Sequence, residues 1–183
     1  MLEFLTIGLS LLWAPERAWS RLRAFHTDVF MLVGYIVALG MLPFLFKLIG
    51  HIIVGTPIKA AVAEALLFVF VVVGTAGLSG LALGLVSRRM GYDLRVFDTQ
   101  RLTLLSSTPV LVMGILYGLP VLSLHPYVFL SSLGWGAFLL LRGVWALTTL
   151  DAKGVTVVSL TGSCTWILSA SLLTQVVVLS LSA

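Results

Sequence analysis

Charge is scarce in this sequence. Only 10% of its 183 residues are Asp, Glu, Lys or Arg, against about 25% in a soluble domain whose surface must face water. That shortage excludes an ordinary water-soluble globule. With 60% hydrophobic residues and a mean hydropathy of +1.13, the chain has more apolar surface than one core of this size can hide. Lipid must therefore solvate most of it. Cysteine is nearly absent as well. Cys164 stands alone in an apolar run, which excludes an internal disulfide and gives no hint of a metal cluster. The three histidines, His26, His51 and His125, are scattered without paired ligands, and no HExxH, GxSxG or Gly-rich phosphate loop occurs. The glycines from Gly74 to Gly84 lie mid-span and lack a Lys-Ser/Thr ending, and no aspartate falls within a span to build an intramembrane protease. No catalytic, cofactor-binding or metal-binding residues are expected, and the chain is read as a non-enzyme.

Net charge is +4, but the basic residues sit in short segments between apolar runs and form no dense patch. Nucleic acid is excluded as a partner on that ground. The excess of Lys and Arg in cytoplasmic loops of membrane proteins is the simpler cause. Residues 1–13 are apolar but carry Glu3, and the basic residues follow them, an order wrong for a secretory signal peptide. The segment is expected to be retained.

Long apolar runs predict an all-α polytopic bundle of five spans, at about 29–54, 58–86, 102–124, 127–148 and 155–181. Each suffices to cross an apolar layer of roughly 30 Å at about 1.5 Å per residue. Helices are required, because backbone amides in lipid find no water, and runs such as 65–73 lack the alternation of barrel strands. Eight of the 11 Lys and Arg fall in segments on the side of the N-terminus: Arg17, Arg21, Arg23, Arg88, Arg89, Arg95, Arg101 and Lys153. The other side has Lys47 and Lys59. This asymmetry places the N-terminus in the cytoplasm and the C-terminus outside.

Residues 1–28 are set apart from the five-span domain at 29–183. Leu2, Leu5, Leu9 and Leu12 recur at helical spacing, and Pro15 suits the start of a fresh helix. Trp13, Pro15, Arg17, Trp19, Arg21 and Arg23 together predict an amphipathic helix anchored along the headgroups. The alternative is a docking helix for a partner protein.

Ionisable residues inside spans are functional candidates, since desolvating a charge there costs at least ~2.5 kcal/mol. Lys47 and His51 share a helix face toward the outer end of the first span, and Glu64 lies toward the outer end of the second. Each can snorkel to the interface, or the three can form an ionic cluster that senses protons or cations. Pro109 in the third span leaves the Leu105 carbonyl without its helical partner. Arg142 in the fourth is expected to donate to that carbonyl, to Ser106 or to Thr108, or else to reach lipid phosphates. Ala76, Gly80 and Gly84, and likewise Gly114 and Gly118, repeat at intervals of four, which lets helices approach backbone to backbone within the chain or between copies.

Three stretches carry a family likeness. The first is Trp13-Ala14-Pro15-Glu16-Arg17-Ala18-Trp19. The second is Thr108-Pro109, Gly114 and Pro120 within SSTPVLVMGILYGLP. The third is Leu139-Leu140-Leu141-Arg142-Gly143, followed by a short loop with Lys153. In these the chain resembles the Yip1 family of small five-span membrane proteins, in its bacterial form. It departs from the family at Leu104 and Leu105, where a tyrosine usually precedes the Thr-Pro, and it lacks the acidic Gly-Pro segment of the eukaryotic members. The Rab-GTPase binding of those members is not carried over. The resemblance implies a membrane-organising or partner-binding accessory subunit, with other membrane proteins or itself as partner. The alternative is a small transporter or channel built on Lys47, His51 and Glu64.

Overall fold

The computed structural model describes residues 1–92, 94–119 and 124–182, with side chains up to residue 169 except at 126. Among these residues every regular element is helical. Two short N-terminal helices, α1 (Leu2–Ser10) and α2 (Pro15–Ala24), precede α3 (Val29–Ile53) and α4 (Ile58–Arg89). Then come α5 (Val96–Ser106), α6 (Thr108–Met113) and a 3-10 turn (Gly114–Gly118), followed by α7 (His125–Leu147) and α8 (Ala152–Ser182).

Local chemistry sets these boundaries. Asp28 accepts from the Met31 amide at 2.7 Å and caps α3. Asp151 accepts from the Gly154 amide at 2.8 Å at the start of α8. Helices α3 and α4 both end on a left-handed glycine, Gly55 (φ 79°) and Gly91 (φ 84°). The next amide in each case closes on the carbonyl five residues back, Thr56 on His51 at 2.9 Å and Tyr92 on Ser87 at 2.9 Å.

Among the described residues four stretches are long and apolar enough to cross a membrane: Val29–Ile53, Ile58–Arg89, Val96–Gly118 and Tyr127–Leu147. The third, expected at 102–124, begins at Val96 instead. Arg95 stands just before it and Arg101 in its second turn; their charge reads as loop in sequence, yet Arg101 is only 8% exposed. Pro120, the second proline of the motif, lies outside the described residues. The expected fifth span falls on α8, a helix of 31 residues.

Apolar side chains face outward along these helices. On α3, Phe30, Val33, Val37, Met41, Leu45, Ile49 and Ile52 form one exposed stripe at steps of three and four, with Phe30 87% exposed. An apolar face of that length is unstable against water and suits lipid. Inward, α4 packs on α5 and α8, and α3 packs on α4 and the 3-10 turn. The small-residue positions are used in these contacts. A Cβ on Gly80 would lie 2.7 Å from Gln100 Cα, and one on Gly84 would lie 3.0 Å from Thr99 Oγ1. Ala76, one turn earlier, is fully buried. Gly114 seats on the Pro43 ring and Gly118 on Phe46. All four glycines thus serve contacts within the chain.

The N-terminal segment differs from its expectation. It breaks into two helices near Trp13, and the buried face of α1 is Phe4 and Ile7, continued by Leu11 just past its end, rather than the leucine stripe, with Leu2 82% exposed. Trp19 is fully buried and is no interfacial anchor, whereas Trp13 is 70% exposed. Protein covers this apolar face, where sequence pattern had assigned it to headgroups. Arg17, Arg21 and Arg23 stay exposed on the far side of α2.

Candidate functional site

Polar side chains link separate helices at three places, while the hydroxyls of Thr75, Ser79 and Ser159 are buried elsewhere in the bundle without a hydrogen-bond partner. The first is where the N-terminal helices meet the bundle. Gly143 of α7 leaves room for the Trp19 indole, since a Cβ there would lie 2.7 Å from Trp19 Cζ2 and 2.7 Å from Leu102 Cδ2. Phe4 meets Phe25 at 5.8 Å and stands edge-on to Tyr35 at 5.5 Å between ring centroids. The Arg101 guanidinium donates through Nη2 to the Leu22 carbonyl in the last turn of α2. A cation there also complements the negative end of the helix. Arg142 Nη1 pairs with Glu16 Oε1 at 3.0 Å and lies over the Phe138 ring at 5.2 Å. This corrects the expected partners of Arg142. The guanidinium fastens α2 to α7, and its partner is Glu16 rather than the 105–108 segment. Arg21 and Glu3 stand 3.9 Å apart and add a looser tie between α2 and α1.

The second place is the Thr-Pro step between α5 and α6. Pro109 cannot donate to Leu105, and the Thr108 hydroxyl does so instead, at 2.5 Å. Having given its proton, that hydroxyl accepts from the Tyr35 phenol at 2.7 Å. The carbonyl that proline strands is thus served by the residue beside it, which a second helix then holds. Thr108 and Tyr35 are both fully buried.

The third place is the end near the α3–α4 turn. His51 Nε2 and Glu64 Oε2 stand 3.0 Å apart, joining α3 to α4. Thr56 Oγ1 lies 3.5 Å from His51 Nδ1. Lys47 makes no ion pair in this group; its Nζ lies 5.1 Å from the Phe68 ring centroid. Phe68 stacks edge-on with Tyr117 at 4.8 Å, and Tyr117 with His125 at 5.0 Å. The expected three-residue cluster is therefore one His–Glu contact beside a cation–aromatic column.

Tyr35 and Arg101 were missed in the sequence. A periodic signal existed for Arg101, since 101, 105 and 108 fall on one helix face and all three are buried. Nothing in the sequence marks Tyr35 as the partner of a residue 73 positions away. Among the described residues no group of three or more His, Cys, Asp or Glu could hold a metal ion.

Comparison with known proteins fits this geometry. No curated protein and no solved structure matches the chain. A family model described as the Yip1 domain matches residues 9–174, a stretch that runs from α1 into α8 and includes the Trp-Ala-Pro entry, the Thr-Pro step and the seat of Trp19. The chain therefore belongs to the Yip1 family.

Proposed function

We propose that this Yip1-family protein is a non-catalytic scaffold of the bacterial inner membrane that organises lipid or holds other membrane proteins, as an accessory subunit or as a self-assembly. It crosses five times, α8 being the fifth span, with the N-terminus in the cytoplasm. Helices α1 and α2 cap the cytoplasmic end, with Arg17, Arg21 and Arg23 turned to the headgroups. One observation carries this function: the polar side chains at the three places above close largely on the chain itself. Thr108 serves Leu105 and Tyr35 serves Thr108, Arg101 serves Leu22, Arg142 meets Glu16 and His51 meets Glu64. The outward surface is left apolar and suited to lateral contacts.

Transport through the Lys47, His51 and Glu64 end is the rival. It is favoured by the His51–Glu64 contact and opposed by the cavities. The large one, between α3 and α4, is lined by apolar residues. The one bordered by Thr75 and Trp166 is about 20 Å³, room for roughly one water.

Purification in mild detergent, with cross-linking in native membranes beforehand, tests the scaffold. A stable oligomer or a reproducible membrane partner supports it, and a chain always monomeric and alone counts against it. Liposome flux abolished by Glu64→Gln would transfer support to transport.

A further inference from the structure

The N-terminal cap and the break in the third span share one residue. Helix α1 turns Phe4, Ile7 and Gly8 inward, and Tyr35 of α3 fills the space that Gly8 leaves. A Cβ there would lie 2.7 Å from Tyr35 Cζ and 2.7 Å from its Oη. Phe4, one turn earlier, stands edge-on to the same ring. The ring is therefore gripped by α1 while its hydroxyl donates to Thr108 at 2.7 Å. Tyr35, Leu105 and Thr108 are all fully buried, so water offers neither the phenol nor the Leu105 carbonyl a substitute.

The joint to which Thr108 belongs is weak by construction. Helix α5 stops at Ser106, α6 runs Thr108–Met113, and a 3-10 turn takes over at Gly114, three segments within the Val96–Gly118 span. Pro109 removes a ladder bond at the first break, and bends of a spanning helix concentrate at such positions. Across that break the Thr108 hydroxyl bonds the Leu105 carbonyl at 2.5 Å, and Tyr35 fixes the hydroxyl in turn. Two turns earlier, Arg101 holds the Leu22 carbonyl of α2. The 101, 105 and 108 face of the third span thus carries a tie to each cap helix, to α2 directly and to α1 through Tyr35.

We propose that docking of α1 and α2 sets the bend of the third span at Thr108–Pro109, with Tyr35 as the coupling residue. With the cap seated, Phe4 and Gly8 hold the ring where its hydroxyl reaches Thr108. With the cap lifted, the ring loses that support, the hydroxyl leaves Thr108, and the break between α5 and α6 loosens. A signal delivered to the cap is thereby felt within the span. Any ligand that prefers the lifted cap shifts the joint by the free energy of that preference. A change at the joint must shift the cap by the same factor. The device holds for either scaffold partner, lipid or protein, so failure to find a partner leaves it standing.

Two readouts on the full chain in lipid nanodiscs test it: trypsin cleavage at Arg17, Arg21 and Arg23, and hydrogen exchange by mass spectrometry. Exchange is followed at residues 105–113, with 62–76 of α4 as control. Gly8→Val pushes a side chain into the Tyr35 ring from the cap side. It should speed both cleavage and exchange at 105–113 by about fivefold or more, the scale of allosteric coupling, and leave 62–76 unchanged. Thr108→Val, at the joint, should speed cleavage of the cap by a similar factor. Tyr35→Phe keeps the ring and removes the bond; exchange at 105–113 should rise, and adding Gly8→Val should raise it no further. Faster cap cleavage in Gly8→Val with no change at the joint would overturn the proposal. So would an equal rise at 62–76, a Thr108→Val cap cleaved at the unsubstituted rate, a further rise from Gly8→Val in the Tyr35→Phe background, or a Gly8→Val protein that moves neither readout. If Gly8→Val does not fold, cap cleavage in Thr108→Val decides.

Discussion

Tyr35 and Thr108 stand 73 positions apart and share a buried hydrogen bond of 2.7 Å, and its direction is fixed by proline chemistry. Pro109 leaves the Leu105 carbonyl bare, the Thr108 hydroxyl donates to it, and the phenol is left to donate to Thr108. Tyr35→Phe should therefore cost about 0.5–1.5 kcal/mol, one net hydrogen bond. Thr108→Val should cost more, because it leaves a phenol and a carbonyl unserved. The double variant should fall short of the sum by about 0.5 kcal/mol or more. Unfolding in micelles followed by circular dichroism checks the cycle; strict additivity would show that the two groups do not communicate.

Gly143 decides whether the N-terminal cap seats. Gly143→Leu would drive a side chain into Trp19 and Leu102, and overpacking of that kind costs about 1–3 kcal/mol. Because the loss is local to the α2–α7 contact, trypsin should cut at Arg17, Arg21 and Arg23 about tenfold faster, with the spans intact. Unchanged cleavage would mean that Trp19 seats without Gly143.

The two arginines that hold the cap should differ in weight. Arg101 is nearly buried on a carbonyl, and a hydrogen bond from a charged group is worth about 1.5–3 kcal/mol. Arg142 and Glu16 have side chains 44% and 74% exposed, a setting in which pairs contribute about 0–1 kcal/mol. Proteolysis of the cap should thus accelerate strongly in Arg101→Gln, weakly in Arg142→Gln, and salt should mimic the second change only.

Glycines on helices separate into tight and open sites. A Cβ on Gly114 would come within 2.8 Å of Pro43 Cα, where ring and backbone have little room to move, and Gly134 has nothing within 4 Å. Gly114→Ala should destabilise by about 1–3 kcal/mol, and Gly134→Ala should be neutral or stabilise by up to about 1 kcal/mol. Equal melting temperatures for the two variants would contradict the close approach of the third span to α3.

Four of the spans are legible because lipid solvation writes itself along the chain: the stripe from Phe30 to Ile52 is apolar in sequence and exposed in space. The Thr-Pro step was legible too, since the stranded Leu105 carbonyl follows from proline alone. The occupant of that carbonyl and the fate of Trp19 were not. An apolar helix face says that something apolar covers it, and bilayer and protein satisfy that demand equally in one dimension. The Arg142–Glu16 pair is hidden for a related reason: Glu16 lies in a segment whose sequence pattern looks detached from the bundle, which leaves the 105–108 segment or lipid phosphates as the partners that sequence suggests. Arg101 misled through its charge, which reads as loop until its place on the 101, 105 and 108 face is noticed.

Threading the membrane five times requires the two ends of the chain to emerge on opposite sides. Topology reporters fused at Met1 and after Ala183, with a third inserted at Gly55, measure this directly. The expected result is Met1 inside, Gly55 outside and Ala183 outside. Ala183 found on the same side as Met1 would contradict the five-span architecture.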